Sequence, residues 1–215
     1  KYVHSVNVAL IASILGQWLK FSEKDIRILT ISGLLHDIGK IMIPNEILTK
    51  PGKLTVAEYN IMKQHVNFGY EKVKNQNIDI RIKEACLLHH EKCDGTGYPF
   101  GLKSDHIPAV AKIIAIADVY DAMTSARVYR GALCPFEVID TMYKDAFTKF
   151  EPEYILPFLK NVASSYINND VRLSDGRIGK VVLINENALS LPIVQCEDEF
   201  IDLSKTRGLT VSAIL

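Results

Sequence analysis

Histidine and aspartate recur between His4 and Asp118 in a pattern that only several packed segments can bring together. Five of the six histidines belong to it. The centre is His36-Asp37-Ile38-Gly39-Lys40, followed by His65, by the adjacent pair His89-His90, and by Asp118, with His4 upstream. Imidazole and carboxylate groups recurring at helical intervals are what a multinuclear metal site requires. For them to converge, helices must pack with these side chains pointing inward, as in metal-binding bundles. The two oxygens of Asp37 can bridge two ions, whereas a single imidazole lone pair cannot. Lys40 lies about one turn further on, in reach of a metal-bound hydroxide or a phosphate oxygen.

Hydrophobic spacing and capping signals read most of the chain as helical. Val3, Val6, Leu10 and Ile14 predict a helix over residues 1–19. Ser22, Glu23 and Asp25 open a second helix that should end near Gly39. Pro44 starts a short third. Thr55-Val56-Ala57-Glu58 is a capping box, so residues 56–73 are expected as one helix carrying His65. Residues 78–90 make another, ending in the histidine pair. After a loop rich in Gly and Pro, a helix from Pro108 to about Ser125 carries Asp118 and Asp121. Pro135 and Pro152 start two more, the last expected to kink at Pro157. Trp18, Phe21, Phe68, Phe147 and Phe150 are expected in the core, and His106 in a loop.

The period changes after about residue 169. Two β-like runs flank Ser174-Asp175-Gly176, a hairpin signal, and residues 191–194 and 209–211 read as further strands. The fold class expected is mainly α, with a helical unit over 1–168 and a small β extension over 169–215 that is too small to be very stable alone.

The 215 residues suit one domain, or one with an appendage. Lys plus Arg equals Asp plus Glu at 25 each, so nothing points to non-specific nucleic-acid or membrane binding. No apolar run approaches the ~20 residues of a membrane span. The four cysteines form no CxxC pair and do not look like a disulfide framework, which favours a reducing cytoplasm. The chain starts without Met inside an expected helix, which reads as a piece of a longer protein.

The chain closely resembles the HD-GYP domain, a bacterial branch of the HD metallo-phosphohydrolase superfamily. His36 through Lys40 matches its H-D-I-G-K signature, and His89 through Pro99 matches H-H-E-x-x-D-G-x-G-Y-P. Ile43-Pro44, Lys50-Pro51-Gly52 and Asp118 through Ser125 also fit, and the resemblance covers roughly residues 1–165. It implies an HD-superfamily helical bundle holding two or three divalent metal ions, iron or manganese. It also implies hydrolysis of cyclic di-GMP to pGpG or GMP.

Carried across, His4, His36, Asp37, His65, His89, His90 and Asp118 match the metal ligands, and Lys40 the site lysine. A third metal would need a glutamate about one turn before His4, at a position preceding Lys1. Arg127 and Arg130 match a phosphate-binding basic pair; they are three residues apart and share a face if helical. Tyr98 is expected on the substrate, with Gly95 and Gly97 letting its loop approach closely and Pro99 completing the motif. Glu91 and Asp94 are expected to hold the loop and the histidines, and Asp121 to be structural or to support a ligand. Cys93 and Val128 depart from common family usage without touching the ligands. Asp37 and Lys40 are the expected catalytic residues: a hydroxide bridging two metals would attack phosphorus in line with the leaving 3′ oxygen, with Lys40 offsetting phosphoryl charge.

Two rivals stand beside this reading. One keeps the chemistry and changes the substrate to 3′,3′-cyclic GMP-AMP or a linear nucleotide. The other is a signalling module whose Gly-Tyr-Pro loop docks a diguanylate cyclase. An upstream sensor or receiver domain and a second copy of the chain are the further partners considered; nucleic acid and membrane contact by this segment are not expected.

Overall fold

The computed structural model describes residues 2–125 and 133–215. Helices α1 (Tyr2–Trp18) and α2 (Glu23–Leu35) pack against each other in opposite directions. Ser13 Oγ meets Thr30 Oγ1 at 2.7 Å, and a Cβ on Gly33 would fall 2.5 Å from the Cα of Ala9, so small residues set how closely the two helices approach. The core side of α1 is Val8, Ala9, Ala12 and Leu15. Val3, Val6, Leu10 and Ile14, on which the sequence reading placed its helical period, face outward instead. A helix apolar on nearly every side has no periodic signal to choose its buried face.

Ser22 caps α2 by accepting the Asp25 N–H. The helix ends at Leu35, not near Gly39; a 3-10 segment, Ile38–Met42, follows, and Pro44 precedes the short α3 (Asn45–Leu48). The capping box of Thr55 and Glu58 forms as expected. The single helix expected over 56–73 is two: α4 (Val56–Lys63) and α5 (His65–Val73), parted at Gln64. Then come α6 (Ile80–Leu88), α7 (Ala109–Thr124), α8 (Pro135–Asp145) and α9 (Pro152–Ser164), which continues through Pro157 as one helix. Trp18, Phe21 and Phe150 pack against the core, whereas Phe147 is 63% exposed.

The C-terminal part is an antiparallel sheet in the order β4-β3-β2-β1-β5: β1 (Asp170–Leu173), β2 (Ile178–Leu183), β3 (Ile193–Cys196), β4 (Glu199–Asp202) and β5 (Val211–Ile214). The edge strand β4 was not foreseen: Glu199, Phe200, Ile201 and Asp202 are too few to show an alternation. Val171, Leu173, Val181, Val194 and Val211 lie in the same buried cluster as Ile113, Phe136, Ile139 and Phe158 of the helices. The sheet shares the helical core, which offsets the weakness of so small a β unit.

Candidate metal centre

The helices bring the whole histidine–aspartate set to one place. Asp37 is its hub. Its Oδ1 lies 3.4 Å from His65 Nε2 and 3.9 Å from His89 Nε2. Its Oδ2 lies 3.4 Å from His36 Nε2, 3.7 Å from His4 Nε2, and against the Lys40 ammonium. Asp118, from α7, places Oδ1 3.0 Å from His4 Nε2 and Oδ2 3.9 Å from His90 Nδ1. Two donor groups result, each with its ligand atoms within 4.8 Å of one another: Asp37, His65, His89 and His90, and His4, His36 and Asp37. Asp37 belongs to both.

Local backbone geometry aims the imidazoles. His36 Nδ1 donates to the Gly33 carbonyl at 2.7 Å, His65 Nδ1 to Met62 at 2.8 Å, and His89 Nδ1 to Ala85 at 2.9 Å. Each pairing leaves Nε2 as a bare lone pair pointing into the cluster. His4 is held differently: its Nδ1 donates to Asp121 Oδ2 at 2.6 Å, and Asn7 and Ser125 donate to Oδ1 of the same carboxylate. Asp121 thus orients His4 and is turned away from the other donors. Asn7, which the sequence reading passed over, stands three residues after His4 on α1, and that spacing is the signal that could have found it.

The donor set fits divalent cations. His36 Nε2 and Asp37 Oδ1 are buried with no hydrogen-bond partner. The Nε2 atoms of His65 and His89 face each other at 3.4 Å with both ring protons already committed to carbonyls. Two opposed lone pairs repel unless a cation lies between them. Burial pushes the Asp37 carboxyl up, but His36, Lys40 and His89 pull it well below the usual carboxylate range, and Asp118 is also held low, burial being outweighed there by His4 and His90. Burial holds His65 and His89 below the usual imidazole range and His90 at about 3. The carboxylates are therefore charged and these three imidazoles neutral at pH 7, the state in which such groups can ligate metal. Nitrogen and carboxylate donors of this kind suit iron, manganese or zinc.

Gly39 sits where the 3-10 segment touches α5: a Cβ there would fall 1.9 Å from the His65 carbonyl oxygen. The glycine of the H-D-I-G-K run is thus what lets Asp37 and His65 meet. The later loop is held by Glu91, whose buried carboxylate accepts the N–H groups of Phe100, Gly101 and Leu102 at 2.7, 3.2 and 2.9 Å. Asp94 accepts from Thr96 within the loop and touches no histidine. Gly95 has φ +84°, and a Cβ on Gly97 would fall 2.6 Å from the His90 carbonyl. Next along, the Tyr98 N–H bonds that carbonyl at 3.2 Å, and Pro99 follows through a cis peptide bond. The Tyr98 ring is stacked on His90, ring centres 4.7 Å apart at 30°. Arg127 and Arg130 lie outside the described residues. The clefts beside Lys24 and Ile82, and beside Arg177 and Cys196, hold no member of the constellation.

Residues 3–154 match the family model described as HD domain. The chain is 37% identical over 195 residues to a cyclic di-GMP phosphodiesterase of Pseudomonas aeruginosa, covering 90% of this chain and 47% of that protein. It is 41% identical over 155 residues to a cyclic di-GMP phosphodiesterase response regulator of Xanthomonas campestris, covering 71% and 41%. A 3′3′-cGAMP-specific phosphodiesterase of Vibrio cholerae is 36% identical over 71% of this chain and 30% of its own length. The chain spans less than half the length of these relatives. Among solved structures, an HD-GYP-type protein from Bdellovibrio bacteriovorus superposes with a TM-score of 0.60 over 73% of this chain and 50% of its own, at 23% identity, a likeness of fold. With the H-D-I-G-K and H-H-E to G-Y-P runs set around one centre, the chain belongs to the HD-domain family, in its HD-GYP branch.

Proposed function

We propose that this chain is a metal-dependent phosphodiesterase that opens cyclic di-GMP to pGpG or GMP, with residues 1–168 as the catalytic unit and 169–215 as an extension packed on it. The observation that carries the reading is the shared aspartate: two donor groups meet at Asp37, each on its own oxygen, with Lys40 beside them. The names of the relatives in Pseudomonas and Xanthomonas supply the substrate.

His36, His65, His89, His90, His4, Asp37 and Asp118 would hold two or three ions, iron or manganese. Bound there, they would supply an activated water and offset charge on the phosphoryl oxygens. Asp37 stays ionised and holds Lys40 at the centre's edge, where the half-exposed ammonium is placed to meet a phosphoryl oxygen. Burial drives the Tyr98 phenol well above its ordinary range, so it remains a donor at neutral pH and offers its O–H to the substrate. Glu91 fixes the loop that sets this ring. Arg127 and Arg130 are assigned to a phosphate of the substrate.

No helix among the described residues is long and apolar enough to cross a membrane, and the four cysteines are free; the cytoplasm, where a second messenger acts, is the site of action assigned in this reading. Anaerobic purification followed by metal analysis and a cyclic di-GMP turnover assay on one sample tests the reading. Two or more ions per chain with pGpG or GMP as product is expected, both lost in Asp37→Ala. Metal-replete wild-type protein that leaves cyclic di-GMP intact refutes it. The 36% identity to the cGAMP-specific Vibrio relative makes 3′,3′-cyclic GMP-AMP the competitor to include.

A further inference from the structure

Beyond the constellation, a second group of side chains stands at its outer edge. Tyr59 and Lys63 are four residues apart on α4 and so share one face. The Lys63 ammonium lies 5.3 Å from the centre of the Tyr59 ring and 6.0 Å from that of Tyr98. The two tyrosines meet edge to face at 6.5 Å, and Tyr98 in turn is stacked on His90. A ladder of rings therefore leads outward from the metal ligands, with a cation against its two outermost members. Among the described residues, Lys63 has no carboxylate partner and the Tyr59 hydroxyl no hydrogen bond, while nearby Lys40 and Lys50 are paired with Asp37 and Glu58. Tyr59 is 48% exposed.

This arrangement has a use in the reaction proposed above, and the inference rests on that reading. A cyclic dinucleotide carries two phosphates and two bases. When one phosphate is at Asp37 and Lys40, the rest of the ring extends away from the ions. It then needs a counter-charge for its second phosphate and a flat surface for a purine. Stacking on an aromatic face and a cation held by ring faces are the two contacts that such a half-substrate takes. We infer that Tyr59 and Lys63 form the subsite for the non-reacting half of the substrate: Lys63 pairs with its phosphate, and the Tyr59 ring stacks on its purine.

The test compares cyclic di-GMP with bis(4-nitrophenyl) phosphate, a diester with neither second phosphate nor purine, on manganese-loaded protein comprising residues 1–215. The readout is the ratio of kcat/KM for the two substrates, with metal content measured on each sample. Lys63→Met keeps the stem against the rings and removes the charge. It should lower the ratio about tenfold, chiefly through KM for the dinucleotide, as expected for one charge-assisted contact. Lys63→Arg should restore most of it. Tyr59→Leu should lower the ratio and Tyr59→Phe should not, because stacking needs the ring and not the hydroxyl. A ratio unmoved by Lys63→Met and Tyr59→Leu overturns the subsite. So does an equal fall on both substrates with loss of metal, which would mean that α4 only supports His65. A wild-type chain that cleaves the small diester but no cyclic dinucleotide sinks the proposed function and the subsite with it.

Discussion

Replacing Gly39 by alanine should break the centre without touching a candidate ligand. The Cβ it introduces would lie 1.9 Å from the His65 carbonyl oxygen, 2.4 Å from the Gly69 nitrogen and 2.9 Å from the His65 carbonyl carbon. All three are backbone atoms, so no side chain can swing aside. Ordinary contact starts at 3.4 Å, so the two segments must separate by about 1.5 Å. Overpacking of this kind costs about 1–3 kcal/mol, which for a chain of this length lowers Tm by roughly 2–12 °C. The larger effect falls on the centre. α5 begins at His65, and a shift of ~1 Å exceeds the ~0.2 Å tolerance of metal–ligand distances. Metal affinity should fall at least about tenfold.

The control is built into the same junction. A Cβ on Gly69 meets Gly39 N at 3.4 Å, an ordinary contact, and alanine gains about 1 kcal/mol over glycine in a helix. Differential scanning fluorimetry with and without added manganese, together with metal analysis, reads both variants. Gly39→Ala should melt lower and hold less metal, while Gly69→Ala should match or exceed the wild type. A Gly39→Ala protein with wild-type Tm and full metal, or equal losses in both variants, refutes the argument.

Three further outcomes are expected. Asp121→Ala frees His4 and leaves Asn7 unpaired, so metal affinity should fall about 10–100-fold with little change in helix content; unchanged affinity by titration would show that His4 needs no orienting carboxylate. Glu91→Ala strands three N–H groups of the Gly-Tyr-Pro loop, so amide exchange at Phe100, Gly101 and Leu102 should quicken while α7 stays protected, and uniform protection would contradict the staple. In the metal-free protein, burial holds His65, His89 and His90 below their unfolded values, so their contribution is present above about pH 6.5 and is lost as pH falls below it, for His90 on the way to about 3. Each adds a slope of up to about 1.4 kcal/mol per pH unit. At His4 burial is outweighed by Asp118 and Asp121, which raise it; its contribution is present below about pH 6.5 and lost as pH rises. Three groups against one make the urea midpoint of chelator-treated protein drop between pH 6.5 and 5; a flat or rising midpoint on acidification would be the contrary result.

Much of this protein follows from its sequence. The caps at Ser22 and Thr55, the helix starts at Pro135 and Pro152, and the hairpin around Asp175-Gly176 are local events, set by neighbouring backbone groups and φ preferences that a few residues fix. The ligand candidates were legible because buried imidazoles and carboxylates at helical spacing have few structural uses. Tertiary packing decided the rest. It turned Val3, Val6, Leu10 and Ile14 outward, because α1 approaches α2 through Ala9, Ser13 and Gly16. It parted α4 from α5 at Gln64, setting α5 against Gly39 so that His65 points at Asp37. It merged the sheet with the helical core, and it brought Tyr59, Lys63 and Tyr98 together from α4 and a distant loop. Spacing along a chain fixes which residues share a face, but the partner of each face is chosen by close packing between segments far apart in sequence, where one missing Cβ decides the approach.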